Sequence, residues 1–219
     1  MYKSSRFFVI AFLLLLPVVV SGQEPITIIQ PNGGTIASGS SYQIQWTGDA
    51  DHYTLKLSMD NGMTWSTIAS NITGNSYNWD VPIPWNNKRK CFIKVIAFNA
   101  SNVKIGADSS DGPFTIEVIK LNTPNGGETL TSGSTYNITW TTNSTKKPVS
   151  KVVLSYTKDG GMTWKTIYTL TSNDGTYGWN VPSVLSPKTK CKVKVVLKDS
   201  AGNTIGSDVS DAFFTISPQ

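Results

Sequence analysis

Tyr42-Gln43-Ile44-Gln45-Trp46 returns later in the chain as Tyr136-Asn137-Ile138-Thr139-Trp140, and in both copies bulky apolar residues occupy every second position. Strict alternation over five residues places one set of side chains on one face of an extended strand and the polar set on the other. The same period of two runs through Tyr53, Leu55 and Leu57, and through Cys91, Ile93, Val95 and Ala97. Between these runs lie clusters of Gly, Asn, Asp, Ser and Pro, residues that favour turns. No segment of the repeated region carries helical spacing.

Working outward, the repetition covers most of the chain. Pro31-Asn32-Gly33-Gly34 recurs as Pro124-Asn125-Gly126-Gly127, and Asp60-Asn61-Gly62-Met63-Thr64-Trp65 as Asp159-Gly160-Gly161-Met162-Thr163-Trp164. Trp79, Val81 and Pro82 return as Trp179, Val181 and Pro182, Cys91 as Cys191, and Phe114-Thr115-Ile116 as Phe214-Thr215-Ile216. The offset grows along the repeat, from Pro31 and Pro124 to Trp79 and Trp179, so insertions fall between shared blocks, as loops of one fold vary. About seven short strands in each copy predict an all-β chain: two tandem immunoglobulin or fibronectin III-like β-sandwiches. The expected domains are residues 23–117 and 118–219. The junction Ile116-Glu117-Val118-Ile119-Lys120-Leu121 contains no Gly, Pro or Ser, which predicts a stiff end-to-end connection.

Residues 1–22 differ in kind. Lys3 and Arg6 precede an apolar run from Phe7 to Val20, followed by Ser21 and Gly22, the layout of a signal peptide. The alternative is an uncleaved anchor, since the run is nearly long enough to span a bilayer when tilted. With the leader removed, the expected protein is secreted, extracellular or at the cell surface, with no transmembrane segment in the mature chain. Residues 24–117 carry 8 acidic and 6 basic residues, and residues 118–219 carry 6 and 11, so only the second half offers an electrostatic platform.

Catalysis has little to work with. His52 is the sole histidine, it has no repeat counterpart, and no G-x-S-x-G nucleophile elbow occurs. Neither a cofactor nor an enzymatic activity is expected. Cys91 and Cys191 hold the same inward position of the same strand and predict two buried free thiols, one per core. Asp108 and Asp111, matched by Asp208 and Asp211, are weak calcium candidates, because the ion wants six to eight oxygens and each loop offers two carboxylates; the competing reading is turn capping.

The stretch Ser58-Met59-Asp60-Asn61-Gly62-Met63-Thr64-Trp65 resembles the Asp-box of sialidases and related propellers. A propeller needs at least four blades, and Arg89 is the only arginine after the leader, so the expectation is a structural hairpin built on Asp60, Gly62 and Trp65, and again on Asp159, Gly161 and Trp164. Six of the seven tryptophans form repeat pairs. Trp85 does not, and it lies in Pro84-Trp85-Asn86-Asn87-Lys88-Arg89-Lys90. That loop makes Trp85, Lys88 and Arg89 candidates for stacking on a sugar or anchoring a protein. The alternative for Trp85 is a lid on the core.

In the second copy, Lys190, Lys192 and Lys194 form an outward stripe suited to an acidic polysaccharide, or else a lysine-protected sheet edge. Sequons occur at Asn71, Asn99, Asn137 and Asn143.

Taken in order, P-N-G-G, I-x-W, D-G-x-T-W, W-x-V-P, C-x-[IV]-K-V and S-D-x-x-F-T-I resemble the immunoglobulin-like N-terminal domain of the yeast cell-wall β-1,6-glucan synthesis proteins and Ser/Thr-rich GPI-anchored proteins, over about residues 25–217. The resemblance implies a cell-wall or cell-surface setting and supplies no catalytic residues. The expected partners are polysaccharide or a cell-envelope protein, with self-association possible and nucleic acid not expected. The expected role is a non-catalytic binding or spacing module, alternatively an accessory module of an extracellular glycoside hydrolase system or a subunit of a surface filament or layer.

Overall fold

The computed structural model describes residues 25–219; the leader read in residues 1–22 lies outside them. In chain order the strands are β1 Thr27–Gln30, β2 Thr35–Ala37, β3 Ser41–Thr47, β4 His52–Ser58, β5 Ser66–Ile72, β6 Ser76–Asp80, β7 Lys88–Phe98, β8 Lys104–Ser109 and β9 Phe114–Glu117. They continue as β10 Ile119–Thr123, β11 Thr129–Thr131, β12 Thr135–Thr142, β13 Lys151–Thr157, β14 Lys165–Leu170, β15 Thr176–Asn180, β16 Lys188–Lys198, β17 Thr204–Val209 and β18 Phe214–Ser217. No described residue is helical. The chain is all-β.

Each copy closes as a sandwich. In the first, a three-stranded sheet β1-β3-β6 faces a six-stranded sheet β2-β9-β7-β4-β5, with β8 paired to β7. In the second, β10-β12-β15 faces β11-β18-β16-β13-β14, with β17 on β16. The alternating residues meet between the sheets: Ile44, Trp46, Tyr53, Leu55, Cys91, Ile93, Val95 and Ala97 are buried in one core, and Ile138, Trp140, Val152, Leu154, Cys191, Val193 and Val195 in the other. Each such side chain contributes about 1.5–3 kcal/mol of transfer free energy, so a one-residue slip in register would invert the whole set.

The two cysteines are free and buried. Each donates its S–H to a backbone carbonyl three residues back, Cys91 to Lys88 and Cys191 to Lys188. Burial pushes the Cys91 thiol up to about 11 and raises Cys191 as well, so both are unreactive.

The P-N-G-G turn stitches the first strand to the last. Gly33 and Gly34 take positive φ, and Asn32 Nδ2 donates to the Ile28 carbonyl at 2.9 Å and to Asp111 Oδ2 at 3.0 Å. The Asp111 amide returns a bond to Asn32 Oδ1 at 2.9 Å. Asn125 and Asp211 repeat the exchange in the second sandwich.

Candidate functional site at the domain junction

Between β9 and β10 there is one residue, Val118, and it is buried. A peptide link this short leaves backbone groups that neither sheet can pair, and the loop ahead of β7 supplies their partners. Asn87 Oδ1 accepts from the amides of Val118 at 2.8 Å and Ile119 at 3.1 Å, while its Nδ2 donates to the Ile119 carbonyl at 2.8 Å. Asn86 reaches further, accepting from the Ser207 amide at 2.9 Å and donating to Ser207 Oγ at 3.1 Å. Two neighbouring carboxamides of the first sandwich therefore read backbone of the second.

Arg89 completes this side. Its Nη2 lies 2.5 Å from Asp208 Oδ1 and its Nη1 3.9 Å from Asp211 Oδ1. Asp208 is 6% exposed, and its other oxygen accepts the Leu121 amide at 2.8 Å. Burial raises the Asp208 pKa, and the Leu121 N–H and the Arg89 charge pull against that rise.

On the opposite side Ser38 Oγ donates to the Ser144 carbonyl at 2.6 Å, the Ser144 amide donates to the Ser38 carbonyl at 3.3 Å, and Asn143 Nδ2 donates to the Glu117 carbonyl at 2.8 Å. Gly39 belongs here for steric reasons, since a Cβ on it would stand 2.4 Å from Ser144 Oγ. Trp85 sits at the rim, 48% exposed, with the Lys147 ammonium 5.7 Å from its ring centroid. Lys147 also bonds Asp199 at 3.3 Å, and Asp199 is buried.

The sequence-predicted candidates thus separate. Trp85 and Arg89 both lie at the joint, on its two sides, and Lys88, exposed, shares with Arg89 and Asn87 a groove of about 510 Å³ that also takes in Met59, Met63 and Lys90. The lysine stripe lies on the other sandwich, where Lys192 Nζ donates to the Ser210 carbonyl at 2.8 Å and covers the Phe213 ring. Lys194 stands 4.2 Å over Trp164, and Lys190 is exposed. Asp108 accepts the Ile28 amide at 2.7 Å, matching the Asp208 bond to Leu121, so in each copy this carboxylate ties the first strand to the strand ahead of the final turn. Among the described residues no group of three or more His, Cys, Asp and Glu is placed to hold a metal ion.

The two Asp hairpins share one construction. Asp60 Oδ1 accepts from the Thr64 amide at 2.9 Å and from Ser58 Oγ at 2.8 Å, and Trp65 Nε1 donates to the Gly62 carbonyl at 3.0 Å. Asp159, Thr163, Thr157, Trp164 and Gly161 repeat it. Hydrogen bonds from Thr64, then Ser58, hold Asp60 down to about 2, and those from Thr157 and Thr163 lower Asp159 in the same way. These carboxylates are spent on their own turns. His52 stacks on Phe98 at 5.3 Å.

Sequence reasoning missed Asn86, Asn87, Lys147 and the role of Asp208. One signal was present: Asn86-Asn87 is matched in the second copy by Ser186-Pro187, so these amides, like Trp85, do not repeat.

Residues 123–214 match the family model of the Kre9/KNH-like N-terminal Ig-like domain. Among solved structures, the chain is similar to the fibronectin(III)-like modules of Clostridium thermocellum CbhA, at 16% identity and a TM-score of 0.35, covering 88% of this chain and 94% of that one. It is also similar to the FN1–FN3 domains of chicken CNTN1, at 17% identity and a TM-score of 0.30, covering 90% and 66%. No curated protein matches the chain in sequence.

Proposed function

We propose that the protein is a secreted, non-catalytic module of a cell surface or extracellular matrix, which binds or spaces polysaccharide or an envelope protein. The observation that carries this reading is the clasp: a one-residue joint with buried backbone, closed by Asn86, Asn87, Arg89 and Ser38, holds the two sandwiches in one arrangement. Rigidity of this kind keeps the entropic cost of presenting two surfaces together low. The match of the second sandwich to a cell-wall-associated family supports the setting.

Trp85 is the aromatic that the clasp leaves at the rim, with its indole beside the Lys147 cation and exposed amides. A ring so placed can stack on a pyranose face or fill a protein pocket. Retention of the full chain on insoluble β-glucan, chitin and acidic polysaccharides tests the reading, with Trp85→Ala in parallel. Loss of retention in the variant is the expected result. Equal retention removes Trp85 from the site, and no retention of either protein on any polysaccharide overturns the sugar version in favour of a protein partner.

A further inference from the structure

In each sandwich one pair of strands runs in parallel, and it joins the stretch where the chain comes in to the stretch where it goes out. β2 lies against β9, with Thr35, Ile36 and Ala37 facing Thr115, Ile116 and Glu117; β11 lies against β18, with Thr129, Leu130 and Thr131 facing Thr215, Ile216 and Ser217. Every other strand pair among the described residues is antiparallel.

Parallel order decides how a pull along the chain is felt. Tension from the N-terminal side reaches β2 at its first residue and leaves through the last residue of β9. The two strands are then drawn past each other along their axes, and their evenly spaced ladder bonds stretch together. The β4–β5 hairpin, pulled apart at its open end, would instead give up its bonds one at a time.

Each parallel seam is fastened beyond its paired residues. The Thr115 amide donates to the Gly34 carbonyl and the Ser38 amide to the Glu117 carbonyl, both at 2.9 Å. Ahead of the seam, the exchange between Asn32 and Asp111 ties the two incoming loops together. The second sandwich repeats this, with Thr215 donating to Glu128 at 2.8 Å, Ser132 to Ser217 at 2.9 Å, and Asn125 exchanging with Asp211. Sliding β9 or β18 would also drag Phe114 and Ile116, or Phe214 and Ile216, out of the cores in which they are buried. Val118 alone separates β9 from β10, so tension passes from one sandwich to the next without a slack linker.

We propose that the chain is a tension-resistant tether, in which the β2–β9 and β11–β18 seams hold each sandwich shut against a pull between its ends. Tension resistance belongs to the spacing half of the reading above and needs no ligand, so failure to bind any polysaccharide leaves it intact.

Constant-force magnetic tweezers on residues 23–219 test it, because forced unfolding is governed by the unfolding rate and the lifetime at a fixed force reads that rate. In one attachment the handles sit at the N-terminus and on Lys120→Cys, just past the seam, so the first sandwich is pulled along it. In the other they sit on Asp51→Cys and Thr73→Cys, which flank the open end of the β4–β5 hairpin beside the Tyr53–Ile72 pair. Cys91 and Cys191 are buried, away from the coupling chemistry. At the same force the first sandwich should last roughly tenfold longer or more when pulled along the seam than across the hairpin. Asn32→Ala, at an exposed position, removes the exchange with Asp111 and should shorten the seam-pulled lifetime about threefold or more. The hairpin-pulled lifetime should stay as it was, whereas a variant that had merely lost stability would shorten both. Equal lifetimes in the two geometries overturn the proposal. So does an Asn32→Ala effect that is absent, or of the same size in both.

Discussion

Replacing Asn87 by alanine removes three hydrogen bonds at once, and their partners cannot be rescued from within either sheet. The amides of Val118 and Ile119 belong to residues that are themselves 0% exposed, and the third partner is the Ile119 carbonyl. A buried polar group left without a partner costs about 1–3 kcal/mol. Asn87 is half-buried, so water will reach part of the vacated space and the lower half of that range applies. Summed over the three groups, the loss is about 3–6 kcal/mol, a factor of roughly 10² to 10⁴ in the equilibrium that couples the two sandwiches. Calorimetry of the full chain should turn one cooperative transition into two, with small-angle scattering showing a wider spread of domain arrangements. Asn87→Asp keeps the acceptor for both amides, loses only the donor to Ile119, and should fall between. A single transition at the wild-type temperature with unchanged scattering in Asn87→Ala would refute the view that this carboxamide holds the joint.

Arg89→Ala strands a carboxylate that is 6% exposed, and because Arg89 itself is 58% exposed the loss should be about 1–3 kcal/mol rather than the larger cost of breaking a fully buried pair; Asp208→Asn, which still accepts from Leu121, should cost less in urea unfolding. Since burial already raises the Asp208 pKa and removing Arg89 raises it further, the folded state of that variant favours the proton, so its deficit should be largest at neutral pH and shrink as pH falls into the carboxylate range. The Asp hairpins run the other way: lowered pKa values mean their contribution is present above the ordinary 3.8 and is lost only as pH falls through the depressed value, about 2 for Asp60, so amide exchange at Thr64 should stay protected at pH 3 in wild type and not in Asp60→Ala. Asn173→Ala should cost about 1–2 kcal/mol, because Trp140 Nε1 loses its 2.7 Å acceptor and becomes like Trp46, whose Nε1 is buried without a partner; exchange of the two indole N–H protons should then converge.

The strands were legible because period-two alternation is a local property, imposed on every residue that must reach the core. Tyr53, Leu55, Cys91, Ile93 and Val95 are buried for the reason their spacing suggests. The turns were legible too, since Gly33 and Gly34 stand where positive φ is needed. The joint was legible only as an asymmetry. Nothing in Asn86-Asn87 says that its partners are the backbone of residues 118, 119 and 207, because those groups arrive only when two sandwiches have formed and docked. Charge was legible only as position: the alternation sets Lys192 and Lys194 outward, and it does not say that one donates to the Ser210 carbonyl and the other lies over Trp164.

The same asymmetry bears on how copies of the chain can associate. A further sandwich docked beneath the second one, as the second is docked beneath the first, would meet Leu185, Ser186, Pro187 and Thr189 where the first presents Trp85, Asn86, Asn87 and Arg89. Pro187 offers no carboxamide for the unpaired backbone of a joint, and Thr189 offers no cation for a buried aspartate. Repeating the clasp between chains would therefore leave Ile26 and Asp108, the counterparts of Ile119 and Asp208, without a carboxamide and a cation, at a cost that an apolar contact from Leu185, fully exposed here, does not offset. Self-association through repetition of the internal joint is disfavoured by the side chains themselves.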